Sequence, residues 1–231
     1  LGGSVTGEVL ARLPYDAQKP GGEVRTGITI VVDADVPTAG FLAPLDGAVL
    51  GGGTSDYVVG GTTSDATSWV DRVDLTVPSG TVTAEGTDPW AHTWSLPADG
   101  VHTLTATAYD ALGHASAPDA VQVTVDNTVP TASLDLADGA FVTADAGTES
   151  SSTITVTLGG SASDNLAGLR RVQVSTDGRP WHEVWASTDG GVLAAEWQAE
   201  WALPNAVSSQ GEHTVAIRAV DQAGNASDPI R

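Results

Sequence analysis

The side chains best able to do chemistry in this chain are acidic, and they recur in step. Asp33 and Asp35 precede Val36-Pro37, and Asp126 and Asn127 precede Val129-Pro130. Asp110 and Asp221 each close an apolar alternation and open a turn, Asp110-Ala-Leu-Gly-His114 and Asp221-Gln-Ala-Gly-Asn225. Asp65 and Asp164 lie in a third pair of matching loops. A hard cation such as Ca2+ needs several oxygen ligands converging from separate loops. Asp33, Asp35, Asp126, Asn127, Asp110 and Asp221 are therefore candidate calcium ligands where repeated units meet. The competing reading is that these Asp side chains cap turns through nearby amides. No complete calcium loop ending in Glu is present, so both readings stand.

Tryptophan is the second chemical resource, with seven among few aromatic residues. Trp90 and Trp94 recur as Trp197 and Trp201, which marks them as framework. Trp69 and Trp185 do not recur and are the candidates for stacking on a sugar or another ligand. His102 and His213 both precede Thr at one repeat position, while His92, His114 and His182 show no ligand spacing or paired base. Neither a nucleophile elbow, a zinc-protease motif nor a phosphate loop occurs. The chain is read as a non-enzyme.

Composition narrows the partners. The 231 residues carry a net charge of -20 with a single lysine, Lys19, which argues against nucleic acid and anionic membranes. Without cysteine there is no disulfide or thiolate chemistry. No apolar run is long enough to span a bilayer. The lack of Met is read as processing or excision from a longer chain.

Positioning these residues falls to strands. Val73, Leu75 and Val77 alternate, as do Val172 and Val174, and Leu104, Ala106 and Ala108 match Val215, Ile217 and Ala219. The repeat distance grows along the chain, from 93 (Pro37 to Pro130) to 99 (Asp65 to Asp164), 107 (Trp90 to Trp197) and 111 (His102 to His213). Fixed strands with variable loops give that drift. About seven short strands per copy predict a Greek-key sandwich in an all-β chain.

The stretch from Gly160-Ser-Ala-Ser-Asp164 through Val172-Gln-Val-Ser-Thr-Asp-Gly178, Trp181, Trp197 and Trp201 to Arg218-Ala-Val-Asp-Gln-Ala-Gly-Asn225 resembles bacterial immunoglobulin-like domains. The first copy resembles them less fully, lacking the Asp-Gly-x-x-Trp stretch and carrying His114 where the second has Asn225. The resemblance implies two tandem immunoglobulin-like β-sandwiches with an extra N-terminal strand segment, outside a bacterial cell or on its surface. The divisions are 1–35 for that segment, 36–128 for the first domain and 129–231 for the second.

The repeat is out of phase with the ends. Val121, Val123 and Val125 form a last strand in the first copy, whereas Ser227 is followed only by Asp-Pro-Ile-Arg231. Ile28, Ile30 and Val32 supply the same pattern before the first Asp-Val-Pro. The expectation is a structural subunit of an extracellular filament. Copies of the chain would join head to tail as Ile28, Ile30 and Val32 enter the next copy's second domain, by donor-strand complementation. The alternatives are a slice of a longer array, a stalk or adhesin that binds a glycan or surface ligand, and an accessory domain of an exported enzyme. No cofactor is expected apart from Ca2+.

Overall fold

A short alternating strand must pair its backbone and bury one face, and the strands that build the two cores do so. The computed structural model describes residues 32–141, 153–188, 190–204 and 211–231, of which Asp33–Arg231 form one unit. Its regular elements are all strands. In the first half, β1 (Thr38–Ala43), β3 (Asp56–Ser64) and β6 (Trp90–Ser95) make one antiparallel sheet. The facing sheet runs β2 (Ala48–Gly51), β8 (Asp119–Asp126), β7 (Gly100–Asp110), β4 (Val70–Val77) and β5 (Gly80–Thr83). Among the described residues only the β2–β8 pair is parallel.

Apolar residues meet between these sheets at the predicted period of two. Val73, Leu75, Leu104, Ala106, Ala108, Val123 and Val125 are all buried, with Trp90 and Trp94 from the opposite sheet. Each large aliphatic side chain so buried stabilises the fold by about 1.5–3 kcal/mol before ordering costs.

The second half repeats the plan. One sheet is β9 (Thr131–Ala132), β10 (Thr153–Ser163) and β13 (Ala194–Pro204), and the other is β12 (His182–Ala186), β11 (Leu169–Thr176) and β14 (Val215–Asp221). Leu158, Leu169, Val172, Val174, Ile217 and Trp197 form a second, separate core.

One contact explains a recurring sequence feature. Gly61 pairs with Trp90 across the ladder, and Gly160 pairs with Trp197. A Cβ on Gly61 would fall 1.9 Å from the Gly40 carbonyl and 2.6 Å from the Trp90 ring. On Gly160 it would fall 2.0 Å from the Ser133 carbonyl and 3.0 Å from the Trp197 ring. Glycine is required because the edge strand and the indole occupy that space. A histidine ring stands edge-on to the second tryptophan further along the same two strands: His102 lies 6.4 Å from Trp94, and His213 lies 5.5 Å from Trp201.

Candidate functional site

Two places combine chemistry with geometry: the acidic junction between the sandwiches and the outer edge of β14.

At the junction, Asp126 ends β8, Asp221 ends β14 and Asp164 follows β10. One carboxylate oxygen from each lies within 4.8 Å of the others. Asp126 and Asp221 are 0% exposed. Asp126 binds across the boundary: Ala167 N donates to its Oδ2 at 2.8 Å, and Asn225 Nδ2 donates to its carbonyl at 2.9 Å. Asp221 accepts from Gly224 N and Asn225 N on Oδ1, and from Asn225 Nδ2 on Oδ2 at 2.7 Å. Asp164 Oδ2 accepts from Leu166 N and Gly168 N. Its Oδ1 is buried and has no hydrogen-bond partner. Burial pushes the Asp221 carboxyl above its ordinary value against the hydrogen bonds of Asn225 and Gly224, and the charge of Asp126 adds to that rise. Alongside, the β2–β3 turn presses on the second sandwich, since a Cβ on Gly52 would fall 2.5 Å from the Ala223 carbonyl.

The first sandwich carries the equivalent arrangement at its start. Asp33, Asp110 and His114 offer ligand atoms within 4.8 Å of one another. Leu112 N and His114 N donate to Asp110 Oδ1, and His114 Nδ1 lies 2.7 Å from Asp110 Oδ2. Burial pushes Asp110 up, but the amide and ring of His114 and the amide of Leu112 outweigh it and hold the carboxyl low. Buried oxygens without partners recur here, at Asp33 Oδ2 and Asp65 Oδ2.

Of the six candidate calcium ligands, the structure thus groups Asp126 with Asp221 and Asp33 with Asp110. Asn127 turns away: its N and Nδ2 both donate to Asp99 Oδ1. Asp35 accepts from Thr67 Oγ1 and donates its amide to Asp33. Asp164 and His114 join the clusters although neither is among those six. The reading of His114 as unpaired is corrected by its contact with Asp110. That contact spans a tight turn whose glycine, Gly113, has φ 91°, as Gly224 does at 98°. The visible signal is the repeated Asp-x-x-Gly followed by His or Asn.

Asn225-Ala226-Ser227 has the form of a glycosylation sequon, but Asn225 is buried and its amide is occupied by Asp126 and Asp221.

The outer edge of β14 is the second place. In the first sandwich β7 is paired on that side by β8 from Gly100 to Ala106. In the second, Ile217 makes a two-way bridge with Ile230, matching the Ala106–Asp119 pair, and among the described residues no further pairing covers that edge toward Val215. The turn that clasps β8 in the first sandwich, where Gln122 N donates to Asp46 Oδ1 and Gly47 N to Gln122 O, has the counterpart Asp138-Gly139, which is exposed. Phe141, just beyond, is 98% exposed. Ile28 and Ile30 lie outside the described residues, and Val32 is exposed. Trp69 is 69% exposed, whereas Trp185 is half-buried against the second core.

A family model for a bacterial Ig domain matches residues 37–106, from the start of β1 well into β7. This stretch is a bacterial immunoglobulin-like domain. In the second Ig-like domain β9, β10 and β13 answer β1, β3 and β6, and β12, β11 and β14 answer β5, β4 and β7. The fibronectin(III)-like modules of Clostridium thermocellum CbhA are similar at TM-score 0.50 and 20% identity, over 84% of this chain and 90% of that one. A 1.5-MDa bacterial ice-binding adhesin aligns at TM-score 0.44 and 12% identity, over 83% and 61%. The endo-beta-1,4-mannanase from Thermotoga petrophila aligns at 0.34 and 17%, over 42% and 21%. At 20% identity the likeness to the CbhA modules is one of fold. No match is found among curated protein sequences.

Proposed function

We propose that the chain is a structural unit of an extracellular bacterial assembly. Its tandem Ig-like domains act as a spacer, and the second domain accepts a strand from another copy. The observation that carries this reading is the edge of β14, where among the described residues no pairing continues past the Ile217–Ile230 bridge toward Val215, beside the exposed Asp138-Gly139 turn and Phe141. The matching edge in the first domain is filled by Val121, Val123 and Val125 of β8, all buried. Ile28, Ile30 and Val32 have the same spacing and the same following Asp. A strand with that pattern gains main-chain hydrogen bonds and about 1.5–3 kcal/mol for each fully buried side chain. A head-to-tail contact of this kind does not close on itself and yields filaments.

Electron microscopy of the native chain beside an Ile28→Asp/Ile30→Asp variant tests the reading. Filaments from the native chain and none from the variant are expected. Appending a copy of residues 121–126 after Arg231, in register with the Ile230 bridge, supplies the strand within the chain and is expected to give monomers. A native chain that stays monomeric at high concentration overturns strand donation and leaves an ordinary array of domains.

Trp69 favours a second reading, an adhesin that stacks a glycan on this exposed ring. Glycan-array binding abolished by Trp69→Ala supports it, and an array with no binder removes it.

A further inference from the structure

We infer that the outer face of the second Ig-like domain binds an acidic sugar, whose carboxylate is held by arginine beside the Trp181 ring. The cleft lies where the turn between β11 and β12 meets the start of β14. Its volume of about 430 Å³ is that of a small-molecule site, and Arg179, Trp181, Thr214 and Arg231 line it. Arg218 lies over the Trp181 ring, its guanidinium carbon 4.5 Å from the ring centroid, and its Nε donates to Gln173 Oε1 at 2.9 Å. Stacking and that hydrogen bond hold the guanidinium in place without neutralising it.

The first domain supplies the contrast. There Arg72 stacks on Tyr109 at 3.9 Å and pairs with a carboxylate, Asp74 Oδ1, 3.4 Å from its Nε. β11 carries Arg171 and Gln173 at the positions of Arg72 and Asp74, so an amide stands where the acid was. Thr107 holds the place of Arg218, and Ala120 that of Arg231. The sandwich thus has no need of arginine at these positions. Among the described residues no carboxylate forms an ion pair with Arg171, Arg179, Arg218 or Arg231. Asp177, in the same turn as Arg179, is engaged elsewhere: Thr214 N donates to its Oδ1, and its Oδ2 lies 3.0 Å from His213 Nδ1. In a chain with 29 acidic residues and nine basic ones, arginines gathered without an acid call for an anion from outside.

The mixture of groups selects the anion. A planar guanidinium matches a carboxylate with two parallel hydrogen bonds. An indole packs on the C–H face of a sugar ring, and the Thr214 hydroxyl suits the ring hydroxyls. An acidic peptide would instead add along a sheet edge. The cleft sits on the face of the sheet, because Val215 and Ile217 pack toward the core and Thr214, Ala216 and Arg218 alternate with them. Strand donation uses the edge and is read by filament formation, so the two can fail separately.

The test is isothermal titration of the full chain with methyl β-D-glucuronide, paired with thermal melts, with methyl β-D-glucoside as the neutral control. Saturable binding of the glucuronide is expected, with the glucoside weaker by about tenfold or more. Arg218→Thr installs the residue of the first domain, and Arg179→Gln removes a charge from an exposed turn. Each should weaken glucuronide binding about tenfold and leave the Tm of the free protein unchanged. If Arg218→Thr melts lower, Arg179→Gln decides. Absence of heat and of any Tm change at about 20 mM glucuronide overturns the inference. So does equal binding of the two sugars, or binding that survives Arg179→Gln. Pentaglutamate bound as tightly as the glucuronide would make the ligand an acidic peptide and overturns it as well.

Discussion

The two Ig-like domains share a tryptophan laid over a glycine pair and differ at one edge. In the first, β8 seals the sandwich, and the β2 residue Val49 is half-buried beside it. In the second, among the described residues, the stretch of edge matching Gly100 to Ala106 carries only the Ile217–Ile230 bridge, and Phe141, in the place of Val49, is exposed. Yet Leu158, Val172, Val174 and Ile217 are as fully buried as their counterparts. The central pairs are alike in both because the Trp-on-Gly contact and the β11–β14 ladder lie away from that flank.

The sharpest way to break the comparison is to place a charge at each edge. Val123→Asp puts an unpaired carboxylate at a position 1% exposed and is expected to cost more than about 4 kcal/mol, unfolding the first domain. Ile230→Asp, at a partly exposed position, should cost less than about 1 kcal/mol. Urea denaturation followed by tryptophan fluorescence reads both, and equal costs would mean that the two edges are equally sealed.

A smaller and symmetric effect is expected at the shared feature. Gly61→Ala and Gly160→Ala each force a methyl group against a carbonyl and an indole, and each should cost about 1–3 kcal/mol. A loss confined to one of them would show that the two tryptophans are held differently.

The smallest expected difference is in pH dependence, measured on chelator-treated protein. Asp110 is held below its ordinary value by His114 and Leu112, so its contribution is present above about pH 4 and lost as pH falls through the folded value. Asp221 is raised by burial, so its contribution is present below about pH 4 and lost as pH rises through the folded value. Mild acid should weaken the first domain relative to the second. Melts by scanning calorimetry between about pH 3 and 6 check the order, and parallel shifts would remove the distinction.

Much of the fold was legible because a strand writes its two faces as alternation. Val73, Leu75 and Val77, or Leu104, Ala106 and Ala108, need no partner to be recognised. Recurrence did the rest: Trp90 and Trp197 declared themselves framework by repeating, and both are buried. The junction was only half legible. Asp126 and Asp221 could be grouped because each precedes a turn, but Asp164 reaches them through strand pairing from 38 residues beyond Asp126. His114 was missed because its pairing with Asp110 depends on a positive-φ glycine between them, which spacing rules for helices and metal motifs do not encode.

The tie at Asp126 also sets how a pulling force passes through the molecule. The chain leaves β8 at a residue pinned to the next domain by Ala167 and Asn225, so tension enters β8 along its own length. There β8 is flanked by β7 on one side and β2 on the other, and a lengthwise pull loads both rows of hydrogen bonds in shear, all at once, rather than peeling them singly. The link between the domains is thus arranged as a mechanical clamp, strongest in the direction in which a tethered string of such domains would be stretched.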